Sequence, residues 1–238
     1  MPQLLVLGAR NLGRVIAEHF IAQGWDATGV ARSEETAAAF PGNGVVADLT
    51  RGEEMQRVVS EAGAIDLAVN AMSPKGRFGG GDLTTTDDAA MEPYLEQLLP
   101  AVFSFFRAVG ASMAERGSGT IVQVTGGSAR RALPGRAPWA AGAAGTRALS
   151  QAAANELKPQ GVHVCLLVCD GSFGGPGDDA GGERIDTREL AKAVQYLHEQ
   201  GLGVDARVGG HAHRRPLDAV VHRDTTERPV RHDPVTPR

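Results

Sequence analysis

With only 2 cysteines, 2 tyrosines, 2 tryptophans and 7 phenylalanines in 238 residues, the chain has neither a disulfide framework nor an aromatic-rich core. Cys165 and Cys169 sit four apart in one expected strand and face the same side, a geometry that does not suit a disulfide. They are expected to be buried free thiols in a reducing cytoplasm. Basic residues are not in excess either. Lys and Arg number 24 against 28 Asp and Glu, a net charge of −4, which speaks against a broad nucleic-acid footprint. The longest apolar stretches, such as Val162–Cys169, have strand length, so no membrane span is expected. Met1-Pro2-Gln3 leads directly into an apolar strand without a basic n-region or cleavage site, so no secretory signal is expected there. No repeat recurs at a fixed period.

What the chain has is small residues and regular alternation. Ala and Gly are abundant and favour close helix–sheet packing. The length suits one domain of about 100–250 residues. Strands are expected over Leu4–Leu7, Asp26–Ala31, Val45–Leu49, Ile65–Asn70, Ile121–Val124 and Val162–Cys169. Between them, apolar residues return at helical spacing. Leu12, Val15, Ile16 and Phe20 precede a stop at Gly24, and Met55, Val58 and Val59 follow a Thr50/Glu53 capping-box pattern. Long helices are expected over Thr86–Arg116, after a glycine-rich loop at Gly76–Gly81, and over Pro138–Lys158. A last one spans Arg188–Glu199, capped by Thr187 or Asp186. Such alternation implies an α/β protein, a single doubly wound parallel sheet with helices on both faces. The domain is expected to run over 1–204. From Asp205 periodicity fades, and 205–238 reads as a flexible C-terminal tail. Its His211/His213 pair has no neighbouring Cys or carboxylate partner, so no metal site is expected.

The first strand–helix junction, Leu7-Gly8-Ala9-Arg10-Asn11-Leu12-Gly13, carries the first chemical signal. Gly8 can make a tight turn, Gly13 can let the helix lie close to the strand, and the helix N-terminus offers N–H groups to a pyrophosphate. The second strand ends at Arg32-Ser33 without the acidic residue that would select NAD. Arg32, with Arg10, can pair with a 2′-phosphate, or both can be ordinary surface arginines. If a dinucleotide binds, NADP(H) is preferred over NAD(H).

This junction resembles the glycine loop of the short-chain dehydrogenase/reductase family, whose fold is Rossmann-like. Further segments carry the resemblance from about Gln3 to Glu199: Ala47-Asp48-Leu49, Asp66-Leu67-Ala68-Val69-Asn70-Ala71, Gly119-Thr120-Ile121-Val122, Arg147-Ala148-Leu149-Ser150 and Asn155-Glu156-Leu157. The resemblance implies that Asp48 and Leu49 contact the adenine. It implies that Asn70 and Ala71 border its ribose, although Asn70 reads equally well as a purely structural residue. It implies a homodimer or homotetramer through the two long helices, and a small-molecule substrate.

At the family's working set of Ser, Tyr and Lys this chain reads Gly126, Trp139 and Ala143, and near its Asn stands Leu98. In that family Tyr moves the proton, and Lys lowers the Tyr pKa and holds the nicotinamide ribose. Trp offers only an N–H donor. The nearest hydroxyls, Thr125 and Ser128, can orient a carbonyl or simply be satisfied turn hydroxyls; without an adjacent base neither is an acid–base group. Arg130, Arg131 and Arg136 form either a solvated basic loop or an anion site. The expected function is therefore an atypical NADP(H)-binding protein moving hydride to or from a small carbonyl or activated alkene. A catalytically silent ligand-binding or partner protein, or a non-redox enzyme reusing the cavity, is the alternative.

Overall fold

The structure is a computed structural model and describes residues 1–74, 81–174, 184–200 and 205–208. Seven parallel strands, β1 (Gln3–Leu7), β2 (Asp26–Ala31), β3 (Asn43–Val46), β4 (Leu67–Asn70), β5 (Gly119–Gly126), β6 (Val162–Cys169) and β9 (Asp205–Val208), form one sheet in the order β3-β2-β1-β4-β5-β6-β9. The order reverses between β1 and β4, because the chain winds outward to β3 and then crosses to the far side of β1. This is the doubly wound arrangement, and it opens a crevice at the carboxyl ends of those two strands. A small parallel pair, β7 (Ser172–Gly174) with β8 (Arg184–Asp186), stands apart from it.

Alternation along each strand sends side chains to two cores. Leu4, Val6, Leu67, Val69, Val122, Leu167, Cys165 and Cys169 face α1 (Leu12–Ile21), α2 (Glu34–Ala38) and α6 (Thr187–Gln200). Leu5, Leu7, Ala68, Ile121, Val162 and Val164 face α3 (Gly52–Ala62), α4 (Leu99–Arg116) and α5 (Ala137–Leu157). Helices α4 and α5 lie on the same face, as their sequence predicted. Small residues permit their contact: a Cβ at Gly145 would lie 2.8 Å from Leu99 Cδ2 and one at Gly142 2.8 Å from Tyr94 Cδ1. Both cysteines are buried and neither forms a disulfide among the described residues.

Several expectations need correction. The third strand ends at Val46; Ala47–Leu49 belongs to the loop that follows, where Thr50 Oγ1 donates to Asp48 Oδ1 (2.7 Å) instead of capping α3. The capping box is thus not formed, because Thr50 finds a carboxylate two residues away. Helix α2 was not anticipated; Ser33 caps it by accepting from Thr36 N. The long helix expected from Thr86 begins as a 3₁₀ turn (Asp88–Met91) and a π turn (Pro93–Leu98) before α4. Pro100 has no N–H to donate one turn back, a cause for the widened ladder. By length and composition alone the run Asp88–Arg116 is long and apolar enough to cross a membrane, a property that core helices share. Half of its most apolar window is buried within the fold, where Val102, Phe105, Val109 and Met113 form core. Asp205–Val208, read as the start of a tail, pairs with β6 as an edge strand. Backbone pairing alone suffices at an edge, so periodicity did not reveal it. Residues 209–238, with His211 and His213, and the loop at 75–80 lie outside the described residues.

Candidate active site

An elongated cleft runs along the carboxyl edge of the sheet, with a volume of about 1840 Å³. One end is built by the β1–α1 turn. Gly8 has φ +88°, a conformation that L residues rarely adopt, and a Cβ there would lie 2.7 Å from Ala71 O. The N–H groups of Gly8 and Ala9 both donate to Val30 O (3.1 Å each), fixing the turn beside β2. At Gly13 a Cβ would stand 2.4 Å from Gly8 O and 2.7 Å from Val6 Cγ1, so only glycine lets α1 start this close to β1. The result is a helix N-terminus whose first-turn N–H groups have no intrahelical acceptor, aimed at the crevice between β1 and β4.

Nearly all the sequence-derived candidates meet in this cleft. Gly8, Arg10, Asn11, Leu12, Arg32, Ser33, Asp48, Leu49 and Ala71 line one half; Thr125, Gly126, Ser128 and Trp139 line the other. Gly13, Ala143 and Asn70 do not line it. Gly13 is buried beneath the turn it permits, Ala143 is only 1% exposed inside α5 packing, and Asn70 is fully buried. Asn70 accepts from Met72 N (3.0 Å) and donates to Gln123 Oε1 (2.9 Å), while Gln123 Nε2 donates to Val124 O (2.8 Å). It therefore acts as a clamp between β4 and β5, not as a lining group. Gln123 was missed by sequence reading. A lone amide inside the apolar run Ile121–Val124 was the available signal, since a buried amide demands partners.

Charge is distributed unevenly. Arg14 pairs with Glu18 (2.8 Å), and Asp48 Oδ1 accepts from Thr50 N and Oγ1. Arg10 and Arg32, and at the other end Arg131 and Arg136, also line the cleft and form no ion pair among the described residues. Arg130 does not line it. At the β6 edge, burial pushes the Cys169 thiol up to about 12, so it is no nucleophile at neutral pH. Asp170, Phe173 and Thr187 stand beside it. Thr187 is 7% exposed, and its buried Oγ1 has no hydrogen-bond partner among the described residues. A buried hydroxyl of this kind on a cleft wall is an open position for a ligand atom.

At the β5 end, Gly126 and Trp139 are packed against each other. A Cβ on Gly126 would lie 3.1 Å from Trp139 Cζ2 and 3.5 Å from its Nε1. The indole meets the buried Tyr94 ring edge-on at 5.8 Å between centroids. Neither Thr125 nor Ser128 spends its hydroxyl in a hydrogen bond among the described residues, and both open onto the cleft. No cluster of three or more His, Cys, Asp or Glu able to hold a metal ion occurs among the described residues.

Comparison with known proteins agrees with this architecture. Residues 3–173 match the model of the short chain dehydrogenase family. The 3-oxoacyl-acyl-carrier-protein reductase FabG of Salmonella typhimurium is 29% identical over 175 residues, covering 69% of this chain and 70% of that protein. The FabG of Haemophilus influenzae is 25% identical over 223 residues, covering 84% and 91%. Among solved structures, a short-chain dehydrogenase from Streptomyces avermitilis superposes with a TM-score of 0.76 at 25% identity, covering 88% of each chain.

Proposed function

The chain belongs to the short-chain dehydrogenase family, and from that premise we propose that it binds NADP(H) and moves hydride to or from a small carbonyl or activated alkene without a Tyr/Lys acid–base pair. The observation that carries the reading is the continuity of the cleft. It joins a glycine turn and a helix N-terminus at one end to two open hydroxyls, Thr125 and Ser128, at the other. Gly8 and Gly13 let the turn fold tightly against β4 and β1, and the helix N-terminus placed there offers its first-turn N–H groups to the cofactor's pyrophosphate. Arg10 and Arg32 are the cations for a 2′-phosphate, and no acidic residue ends β2 to favour NAD(H). When bound, the nicotinamide supplies the hydride.

The chain's own residues then have limited tasks. Thr125 and Ser128 orient a carbonyl by donating hydrogen bonds. Trp139 replaces the family's Tyr and bounds the site, and its N–H is a hydrogen-bond donor only, not an acid or base near neutral pH. Ala143, where the family has Lys, is buried and offers nothing to a ribose. Proton transfer falls to water or to the substrate itself. General acid–base groups contribute about 10²–10⁴-fold, so unactivated ketones are expected to react slowly or not at all. Activated alkenes and electron-poor carbonyls are the better substrates. The packing of Trp139 on Gly126 also favours the second reading, a silent member of the family that binds ligands only.

NADPH oxidation measured across ketones, activated carbonyls and activated alkenes separates the two. Turnover confined to activated substrates supports the oxidoreductase. Silence across the panel, with nucleotide bound, supports the silent member. Fast reduction of a simple ketone would overturn the claim that no residue has taken over the Tyr role.

A further inference from the structure

The two arginine pairs lie at opposite ends of one cleft, and only one pair has a use in the reading above. Arg131 and Arg136 flank the half built by β5 and α5. Arg131 N donates to Gly127 O (3.1 Å), which ties it to the turn after β5. Arg136 is the N-cap residue immediately before α5, three positions ahead of Trp139. Both guanidinium groups are exposed and line the cleft. The cleft is also lined by the Trp139 indole, Leu98, Leu133 and Ala101.

We propose that this half of the cleft binds a small carboxylate on a planar apolar body, with Trp139 as the stacking wall and Arg131 and Arg136 as the carboxylate's partners. The inference rests on the reading of the cleft as a nucleotide and substrate site. Guanidinium forks match the geometry of a carboxylate, and a flat indole favours a flat ligand. The Gly126–Trp139 pair fits this assignment. A side chain at position 126 would push the indole out of its place, so glycine there keeps the wall where it is.

The chain has two tryptophans, and only Trp139 lines the cleft; Trp25 packs against Phe20 and His198. A Trp25→Phe protein therefore carries one tryptophan, located at the site and excited selectively above the tyrosine band. Benzoate, benzamide, cyclohexanecarboxylate and phenyl phosphate are titrated against it, and calorimetry on the unmodified protein repeats the benzoate and benzamide arms in case Trp25→Phe loosens the fold. Benzoate is expected to change Trp139 emission and to bind about tenfold or more tightly than benzamide, the weaker end for charge-assisted bonds. It should also bind more tightly than cyclohexanecarboxylate. Replacing both arginines (Arg131→Gln with Arg136→Gln) should remove the benzoate preference while leaving NADPH affinity unchanged. Equal binding of benzoate and benzamide overturns the proposal. So does benzoate binding that survives the double replacement, or phenyl phosphate binding strongly where benzoate does not. Loss of NADPH affinity in the double variant would overturn it too, assigning these arginines to the nucleotide instead. Failure of NADPH to bind an otherwise benzoate-competent protein would sink the nucleotide reading alone.

Discussion

Gly126→Ser should destabilise this protein through a single neighbour. The backbone offers no objection: Gly126 has φ −88° and ψ 165°, extended values open to any residue. The obstacle is the indole, since the new Cβ would stand 3.1 Å from Trp139 Cζ2, closer than ordinary carbon contacts of about 3.5–4.0 Å. Trp139 must yield by a few tenths of an ångström, yet its ring is held edge-on by the buried Tyr94. Overpacking of this kind costs about 1–3 kcal/mol. A Tyr at 139 lacks the second ring that carries Cζ2, so Trp139→Tyr should relieve most of that cost. A double-mutant cycle by urea unfolding is therefore expected to give a coupling of about 0.5–3 kcal/mol, with Gly126→Ser better tolerated beside Tyr than beside Trp. If Gly126→Ser costs nothing in the parent, or costs the same in both backgrounds, the account of this wall is wrong. The same cycle bears on activity. Trp139→Tyr with Ala143→Lys should raise ketone reduction only when Gly126→Ser accompanies them and the buried position 143 accepts the longer side chain.

Three further outcomes follow from the geometry. Arg32→Ala should weaken NADPH selectively by about 1.5–3 kcal/mol in calorimetry, and equal weakening of NADH would remove Arg32 from the 2′-phosphate role. Thr187→Val should leave the urea midpoint unchanged or higher, because it removes a buried hydroxyl without a partner among the described residues, while NADPH affinity falls by about 1 kcal/mol; a lower midpoint would contradict the open-position assignment. Burial, reinforced by the nearby His198 charge and opposed by the Leu197 backbone bond, holds the His163 imidazole below its usual range; burial likewise lowers His198, against Asp66 and Glu199. With folded values depressed, the unfolded chain binds more protons. Stability is then complete above about pH 6.5 and declines as pH falls through the window below it. The urea midpoint should hold above about pH 6.5, drop between about pH 6.5 and 5.5, and drop less after His163→Gln; a flat profile would show that neither imidazole is held neutral.

Much of this was readable in the residues, and the losses have physical causes. Strands β2 and β6 were bounded correctly because both are apolar over most of their length and end at turn formers. Strand β3 was extended by three residues because Ala47-Asp48-Leu49 keeps strand-like alternation while its backbone turns away. Helix α2 was overlooked because five residues show too little periodicity, although Ser33 followed by two Glu is a capping signature. At the site, the glycine turn and the arginines could be placed from strand–helix order. Asn70 was the ambiguous case, and only the Gln123 contact decides it in favour of a clamp. Thr187 and Asp170 were not found, since their approach to the cleft depends on where β6 ends and α6 begins.

The central claim is that a nicotinamide nucleotide occupies the cleft between the Gly8 turn and the Trp139 wall. Calorimetric titration of the purified full chain with NADPH and with NADH tests it most directly. The account predicts one site per chain and tighter binding of NADPH. Absence of heat with both nucleotides, or a preference for NADH, would contradict it.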